Sequence, residues 1–172
     1  MLSEKLKNYK LVLASGSPRR QQFFRDLNLD FEIRLKEVEE IYPENLKASE
    51  VTDFLARLKA DAFELSENEI LVTSDTIVWL DEKVLGKPKN YEDAFVILKK
   101  LSGTTHQVIT SVCLKSSEKT RVFNVITKVT FSELSDGMIR FYLDNYKPFD
   151  KAGAYGIQEW IGLVGIEKIE GS

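Results

Sequence analysis

Apolar and polar positions along the chain fall into blocks that predict strands and helices in turn. The first strong strand signal is Tyr9 to Ala14, after which the small polar residues of Ser15-Gly16-Ser17 turn the chain. Pro18 then takes the first helical position, with Ser17 as its N-cap. We expect this helix to bury Phe23, Phe24 and Leu27, which recur at helical spacing.

The remaining blocks continue this succession of elements. A half-buried strand is expected over Phe31–Leu35, followed by an acidic connector, Glu37–Glu44, and a helix over Ser49–Leu65. The later predicted elements are a β-rich run Ile70–Leu80 interrupted by Ser74-Asp75-Thr76, a helix from Asn90 to Ser102-Gly103, a hairpin of Gln107–Lys115 and Lys119–Phe131, a helix Asp136–Asn145, and strand-like residues within Gly153–Gly171. Hairpins and strand-helix units together predict an α/β fold with a mixed sheet. Since there is no repeat or shift of composition, we expect one domain over residues 1–172.

Composition narrows the classes of function. A chain of 172 residues with 43% hydrophobic side chains can form one sizeable core, and its net charge of -3 argues against a nucleic-acid-binding protein. One cysteine, Cys113, and one histidine, His106, argue against a disulfide scaffold, a zinc cluster and a histidine-based triad; both are expected to be structural. The charged N-terminus and the lack of a long apolar run predict a cytoplasmic protein without a membrane partner.

The loop after the first strand has the chemistry of an anion site. Ser15, Ser17, Arg19 and Arg20 place hydroxyls and guanidinium groups around a helix N-terminus, where free N–H groups favour a phosphate. The alternative is a well-capped helix with two solvated arginines. The Gly-Lys-Ser/Thr ending of a Walker loop is absent.

Asp75 is the second candidate, because a carboxylate within an apolar run must be hydrogen-bonded, paired or metal-bound. At a strand end beside the phosphate loop, it could bind Mg²⁺ or orient a water molecule. It could instead be a turn residue between two short strands. Two lysines are ambiguous between solvated and phosphate-binding roles: Lys87, in Gly86-Lys87-Pro88, and Lys59, on a mostly apolar helix.

Five segments in order along the chain resemble the signature set of the Maf family. They are Leu13-Ala14-Ser15-Gly16-Ser17-Pro18-Arg19-Arg20, Ser74-Asp75-Thr76-Ile77-Val78, Gly86-Lys87-Pro88, Leu101-Ser102-Gly103 with His106 and Val108, and Asp150-Lys151-Ala152-Gly153-Ala154-Tyr155-Gly156-Ile157-Gln158. The resemblance implies an elongated α/β fold of the inosine-triphosphate-pyrophosphatase type, with a central cleft between two lobes. It also implies hydrolysis of a nucleoside triphosphate between its α and β phosphates with a divalent cation, Mg²⁺ or Mn²⁺, and a homodimer.

The same resemblance assigns roles to individual residues. Asp75 matches the family's catalytic acidic residue, the proton acceptor, and Lys59 and Lys87 match lysines of the phosphate site. Glu40 matches an acidic residue of the cleft, so that Asp75 and Glu40 are the expected metal ligands. The remaining matches are the loop residues Ser15, Ser17, Arg19 and Arg20 at the nucleotide, and the selectivity set of dTTP- and UTP-preferring members, which is Arg19, Thr76 and Gln158. A Gln amide can both donate to and accept from a pyrimidine edge.

The chain departs from the family pattern at three places. Lys147-Pro148 stands where many members have Glu-Pro, and Thr104 stands where an Arg is common. The family usually continues past Gly171-Ser172 with an Asn-Val-Val-Gly-Leu-Pro-like segment, so an incomplete C-terminal end is expected.

Two hypotheses for function result. The first is a pyrophosphatase acting on dTTP, UTP or modified pyrimidine nucleotides, in which Asp75 serves as a base. The second is a non-catalytic nucleotide-binding regulator of septum formation, which would keep the loop without needing Asp75.

Overall fold

The computed structural model describes residues 2–171. Met1 and Ser172, which belong to the domain predicted over residues 1–172, lie outside the described residues. The elements are α1 (Leu2–Leu6), β1 (Lys10–Leu13), α2 (Pro18–Asp26), β2 (Phe31–Ile33), α3 (Ser49–Asp61), β3 (Glu69–Leu80), β4 (Lys83–Leu85), α4 (Tyr91–Leu101), β5 (Thr105–Lys115), β6 (Thr120–Phe131), α5 (Asp136–Tyr146), a 3₁₀ turn (Ala152–Ala154), α6 (Trp160–Val164) and β7 (Ile166–Glu170).

One mixed sheet contains the seven strands in the order β2-β1-β3-β5-β6-β7, with β4 also paired to β3. The expected α/β class with a mixed sheet is therefore confirmed. The chain divides into two compact units, Met1–Asp75 with Thr110–Asn124, and Thr76–Ile109 with Val125–Ser172. Within residues 2–171, no helix is both long enough and apolar enough to cross a membrane.

The first unit is built on parallel strands. β1 pairs in parallel with β2 on one side and with β3 on the other, so that Leu11 lies opposite both Phe31 and Ile70. A small apolar core joins these strands to α3, and its buried members are Val12, Ala56, Ala60, Phe63, Leu71 and Cys113. The prediction that Cys113 is a core residue is confirmed.

Ion pairs link the beginnings of β1 and β3 to the segment around β2 in this unit. Arg34 Nη2 donates to Glu69 Oε1 at 2.7 Å, and Lys10 Nζ lies 2.6 Å from Glu32 Oε2. The Arg34 guanidinium and, after it, the Ser66 N–H group lower the pKa of Glu69 to about 2. The network therefore joins the start of β1 and of β3 to the segment around β2.

The exposure of α2 corrects one expectation. Phe24 packs against Phe31 with ring centroids 5.1 Å apart, but the side chains of Phe23 and Leu27 are each 59% exposed. The prediction that the helix buries all three is wrong. Helical spacing places residues on one side of a helix, but it does not provide a second element against which that side can pack.

The second unit contains the larger core and the better-capped helices. The Asn90 side chain accepts a hydrogen bond from the Asp93 N–H group at 2.8 Å, and Ser135 caps α5 through Met138 N–H at 3.2 Å. The largest fully buried side chains of this core are Leu98, Leu101, Phe131, Ile139, Tyr142, Leu143 and Ile161. The helix predicted to begin at Asn90 and end at Ser102-Gly103 is confirmed as α4.

His106 lies in this core as a structural residue, as predicted. Its Nε2 atom shares a 2.7 Å hydrogen bond with the Tyr155 hydroxyl, and its ring stacks on Phe131. Burial lowers the pKa of His106 to about 4, so the ring is neutral at physiological pH.

Candidate active site

The carboxyl ends of β1 and β3 lie side by side because the two strands are parallel. Leu13 pairs with Val72, and Ala14 N–H donates to the Val72 carbonyl at 2.9 Å. The loop that leaves β1 toward α2 therefore begins beside the stretch of β3 that leads to Asp75. This is the edge at which α/β sheets present their binding loops.

The loop is ordered by its own hydroxyl group. Ser15 is buried, and its Oγ accepts a hydrogen bond from Ser17 N–H at 3.2 Å. Ser17 is the N-cap of α2, but its side chain makes no capping hydrogen bond to any residue between 2 and 171. Pro18 follows at the first helical position, as predicted. The first N–H groups of a helix have no partner within the helix, so this N-terminus can receive an anion.

The two arginines of α2 differ in environment. Arg19 is exposed, whereas Arg20 is half-buried and donates through Nη1 to the carbonyl of Ser74 at 2.8 Å. Burial lowers the pKa of the Arg20 guanidinium, and the nearby Asp75 carboxylate acts in the opposite direction. The alternative of two solvated arginines is therefore wrong for Arg20, which fastens α2 to β3 next to Asp75.

Asp75 lies inside one continuous strand. β3 runs without a break from Glu69 to Leu80, so the alternative of a turn between two short strands is wrong. The Asp75 side chain is buried, and its Oδ1 accepts a 2.7 Å hydrogen bond from Lys59 Nζ on α3. The ammonium group offsets the desolvation of this carboxylate.

Lys59 also reaches the acidic connector. Its Nζ lies 2.9 Å from Oε1 of the exposed Glu40, so one ammonium group contacts both carboxylates. The two predicted metal ligands, Asp75 and Glu40, thus converge on one point.

Among residues 2–171, no group of three or more His, Cys, Asp or Glu side chains could hold a metal ion. Mg²⁺ does not need such a cage, because one or two carboxylates and substrate phosphates satisfy it. The oxygen donors present fit this mode of binding.

The other predicted site residues belong to the second unit. Thr76 is half-buried, and Lys87 and Gln158 are exposed. Gly153 N–H donates to the Gly86 carbonyl at 3.0 Å, which joins the Lys87 loop to the segment that ends in Gln158.

Ion pairs of the buried Lys151, which sequence reasoning missed, support the Gln158 segment. Lys151, whose side chain is 9% exposed, contacts Glu159 Oε1 at 3.2 Å and Asp150 Oδ1 at 2.8 Å. The Tyr142 hydroxyl donates to the other oxygen of Glu159 and accepts from Gly156 N–H. A lysine in a Gly-rich segment carries no signal of burial, so the contact could not be found from the sequence.

The chain is similar to known proteins in sequence and in fold. A family model described as Maf-like protein matches residues 10–172. The dTTP/UTP pyrophosphatase of Flavobacterium johnsoniae is 67% identical, with 100% of this chain and 90% of that relative covered. The dTTP/UTP pyrophosphatase of Flavobacterium psychrophilum is 64% identical, with 100% and 89% covered. Among solved structures, the Staphylococcus aureus Ham1 protein has a similar fold, with a TM-score of 0.50 at 16% identity over 74% of this chain and 72% of that chain.

Proposed function

The chain belongs to the Maf family, and from this premise we propose that it is a nucleoside triphosphate pyrophosphatase. Its substrates are dTTP and UTP, including modified forms of these pyrimidine nucleotides, and its products are the nucleoside monophosphate and pyrophosphate. The observation that carries the proposal is the contact of the buried Asp75 on β3 with the half-buried Lys59 on α3, next to the Arg20 side chain of α2. This arrangement combines a carboxylate that can accept a proton with groups that can bind phosphate.

The proposed reaction is a hydrolysis that balances with water alone. A water oxygen forms a bond to phosphorus, the P–O bond of the bridge between the α and β phosphates breaks, and pyrophosphate leaves. The Asp75 carboxylate takes one proton from the attacking water. A strand-interior position holds this carboxylate more rigidly than a loop would, which favours a fixed attack geometry.

Positive and N–H groups are proposed to hold the triphosphate. In the first unit, Lys59, Arg20 and the N–H groups at the start of α2 donate to phosphate oxygens. The family resemblance supports the same role for Lys87, which belongs to the second unit. The N-terminus of α2 adds its dipole to the same interaction. Ser15 and Ser17 contribute by shaping this loop, and the Ser15 hydroxyl already orders it.

A divalent cation, Mg²⁺ or Mn²⁺, is proposed to bind to Asp75 and Glu40. When bound, such a cation polarises phosphate oxygens and offsets the charge that develops on them. The chain's own contribution is to bring the two carboxylates within reach of one point, since each contacts the Lys59 ammonium. With a cation bound to both, that ammonium would turn toward the phosphates.

Base selectivity is proposed for Arg19, Thr76 and Gln158, which match the family's dTTP/UTP set. The exposed Gln158 amide can both donate to and accept from the polar edge of a pyrimidine ring. We further propose a cytoplasmic location, because the single cysteine suits a reducing compartment. A homodimer is proposed from the family resemblance.

Release of pyrophosphate and monophosphate from dTTP, UTP, CTP, GTP and ATP with Mg²⁺ or Mn²⁺ tests the function, with Asp75→Asn run in parallel. We expect dTTP and UTP to be the best substrates and Asp75→Asn to lower kcat by about 10²- to 10⁴-fold. Asp81→Asn, the same change in the exposed β3–β4 turn, is the matched control and should retain activity.

Each contrary outcome changes a different part of the proposal. Preference for a purine nucleotide would keep the reaction and overturn the selectivity assigned to Arg19, Thr76 and Gln158. Binding of nucleotides without turnover by the unmutated protein, under either metal, would contradict the enzyme and favour the regulator.

A further inference from the structure

A series of polar contacts fastens α3 to the sheet within the first unit. Thr73 Oγ1 donates to the carbonyl of Ala56 at 2.6 Å, and both residues are fully buried. One turn earlier in the helix, the hydroxyl groups of Thr52 and Ser111 lie 2.6 Å apart. These contacts have no part in the reaction described above, yet they belong to the elements that carry its central pair.

Thr73 and Asp75 lie on the same face of β3, because side chains two residues apart point to the same side of a strand. Ala56 and Lys59 are similarly three residues apart on α3, so they lie on the same side of the helix. The two contacts between the elements are therefore neighbours: Thr73 with Ala56, and Asp75 with Lys59. The contact of Thr73 with Ala56 therefore restricts where Lys59 can lie relative to Asp75.

We propose that Thr73 is a positioning residue for the reaction, which sets α3 against β3 so that the Lys59 ammonium meets Asp75. The proposal rests on the proposed function for the role of that pair. Within a helix the Ala56 carbonyl accepts from the N–H group four residues on, so it does not need Thr73 to be satisfied. The threonine hydroxyl makes a second, directed bond to it, which ties one turn of α3 to one position of β3.

The hydroxyl, rather than the bulk of the side chain, carries this effect. Thr73→Val keeps nearly the same volume and removes the donor, whereas Thr73→Ser keeps the donor and removes a methyl group. Thr104→Val is the matched control, because Thr104 Oγ1 also donates to a helix carbonyl, that of Leu101, at 2.9 Å in the second unit. All three variants are compared with the parent protein by kcat and KM for dTTP and by urea unfolding.

We expect Thr73→Val to lower kcat by roughly 10- to 100-fold with a change in KM of less than about 3-fold, because a displacement of Lys59 weakens the site mainly at the transition state. Thr73→Ser should stay within about 3-fold of the parent, and Thr104→Val should keep kcat while losing stability. Equal losses of kcat in Thr73→Val and Thr73→Ser, or in Thr73→Val and Thr104→Val, would overturn the proposal.

A double-mutant cycle with Lys59→Met tests whether Thr73 acts through Lys59. In the Lys59→Met background, Thr73→Val should change kcat by less than about 2-fold, since the group that it positions is gone. The same loss of kcat in both backgrounds would contradict a positioning role.

Urea unfolding of the parent protein, Thr73→Val, Lys59→Met and the double variant separates this proposal from the proposed function. If the unmutated protein hydrolyses no nucleotide, the enzyme assignment fails, but the unfolding cycle still decides the geometry. We expect coupling of at least about 3-fold in the unfolding equilibrium constant between Thr73→Val and Lys59→Met. Additive effects would show that Thr73 does not position Lys59.

Discussion

Gly153 has a backbone conformation and a neighbour that both exclude a side chain. Its φ is +69°, in the left-handed region, and a Cβ atom there would lie 2.6 Å from Val78 Cγ2. Val78 is a buried residue of β3, so it has little room to move. The segment that carries Gln158 can therefore approach β3 this closely only with glycine at this position.

We predict that Gly153→Ala lowers the free energy of unfolding by about 2 kcal/mol or more, from backbone strain and overpacking together. Gly86→Ala is the matched control, since among residues 2–171 its added Cβ would have no heavy atom within 4 Å other than those of Gly86 and its two chain neighbours. Chemical denaturation of both variants measures the difference. Equal free energies of unfolding for Gly153→Ala and Gly86→Ala would contradict this prediction. They would show that the Gly153 segment can move away from β3 with little loss of stability.

At the scale of elements, the ion pairs that join the starts of β1 and β3 to the segment around β2 predict that stability depends on pH. The pKa of Glu69 is lowered from its ordinary 4.5 to about 2, first by Arg34. Between these values the unfolded chain binds a proton that the folded chain does not. The stability that Glu69 contributes is therefore present above about pH 4.5 and is lost as the pH falls to about 2.

Arg34→Met should remove most of the stability that the Glu69 carboxylate contributes. We predict that the variant is less stable than the parent at pH 6 and that the difference narrows as the pH falls from 4.5 toward 2, followed by urea unfolding at several pH values. Arg121→Met, which removes the same charge at an exposed position of β6, is the control for net charge. If the difference in the free energy of unfolding between the parent and Arg34→Met did not change with pH, the loss of stability would come from lost packing and not from the charge.

The elements that the sequence predicted best are those with local signals. Asn90 and Ser135 cap their helices as such residues do, and the long β5–β6 hairpin lies where the apolar runs flank a polar turn. α6 was missed because five residues are too few to show a helical period. The exposure of Phe23 was mispredicted because the spacing of apolar residues does not show whether another element packs against that face of the helix.

The candidate site could be predicted only as separate residues. Resemblance to a family selected Asp75, Lys59 and Glu40, but their meeting depends on the position of α3 and on the path of the connector that carries Glu40. Neither is written in a local pattern. Thr73 was missed altogether, because a buried β-branched residue in a strand is ordinary, and only the structure shows its hydroxyl at a helix carbonyl.

For the whole molecule, we predict one cooperative unfolding transition, although the chain divides into two compact units. Strands β3, β5 and β6 each have residues in both units, so neither unit is a continuous piece of chain. Trp79 and Trp160 both belong to the second unit, so tryptophan fluorescence follows that unit, whereas far-ultraviolet circular dichroism follows both. The two signals should change together in urea, and separated midpoints would contradict the prediction of a single domain.

The parallel pairing of β1 with β3 also determines when the site can exist during folding. It joins residue 10 to residue 69, so a long loop must close before the first hydrogen bond of this pair forms. Such contacts between distant residues slow folding, and here they precede any meeting of the Ser15 loop with Asp75. While the chain emerges from the ribosome, the Ser15 loop and α2 are made long before β3. The nascent protein therefore passes through a stage in which the Ser15 loop has been made but Asp75 has not.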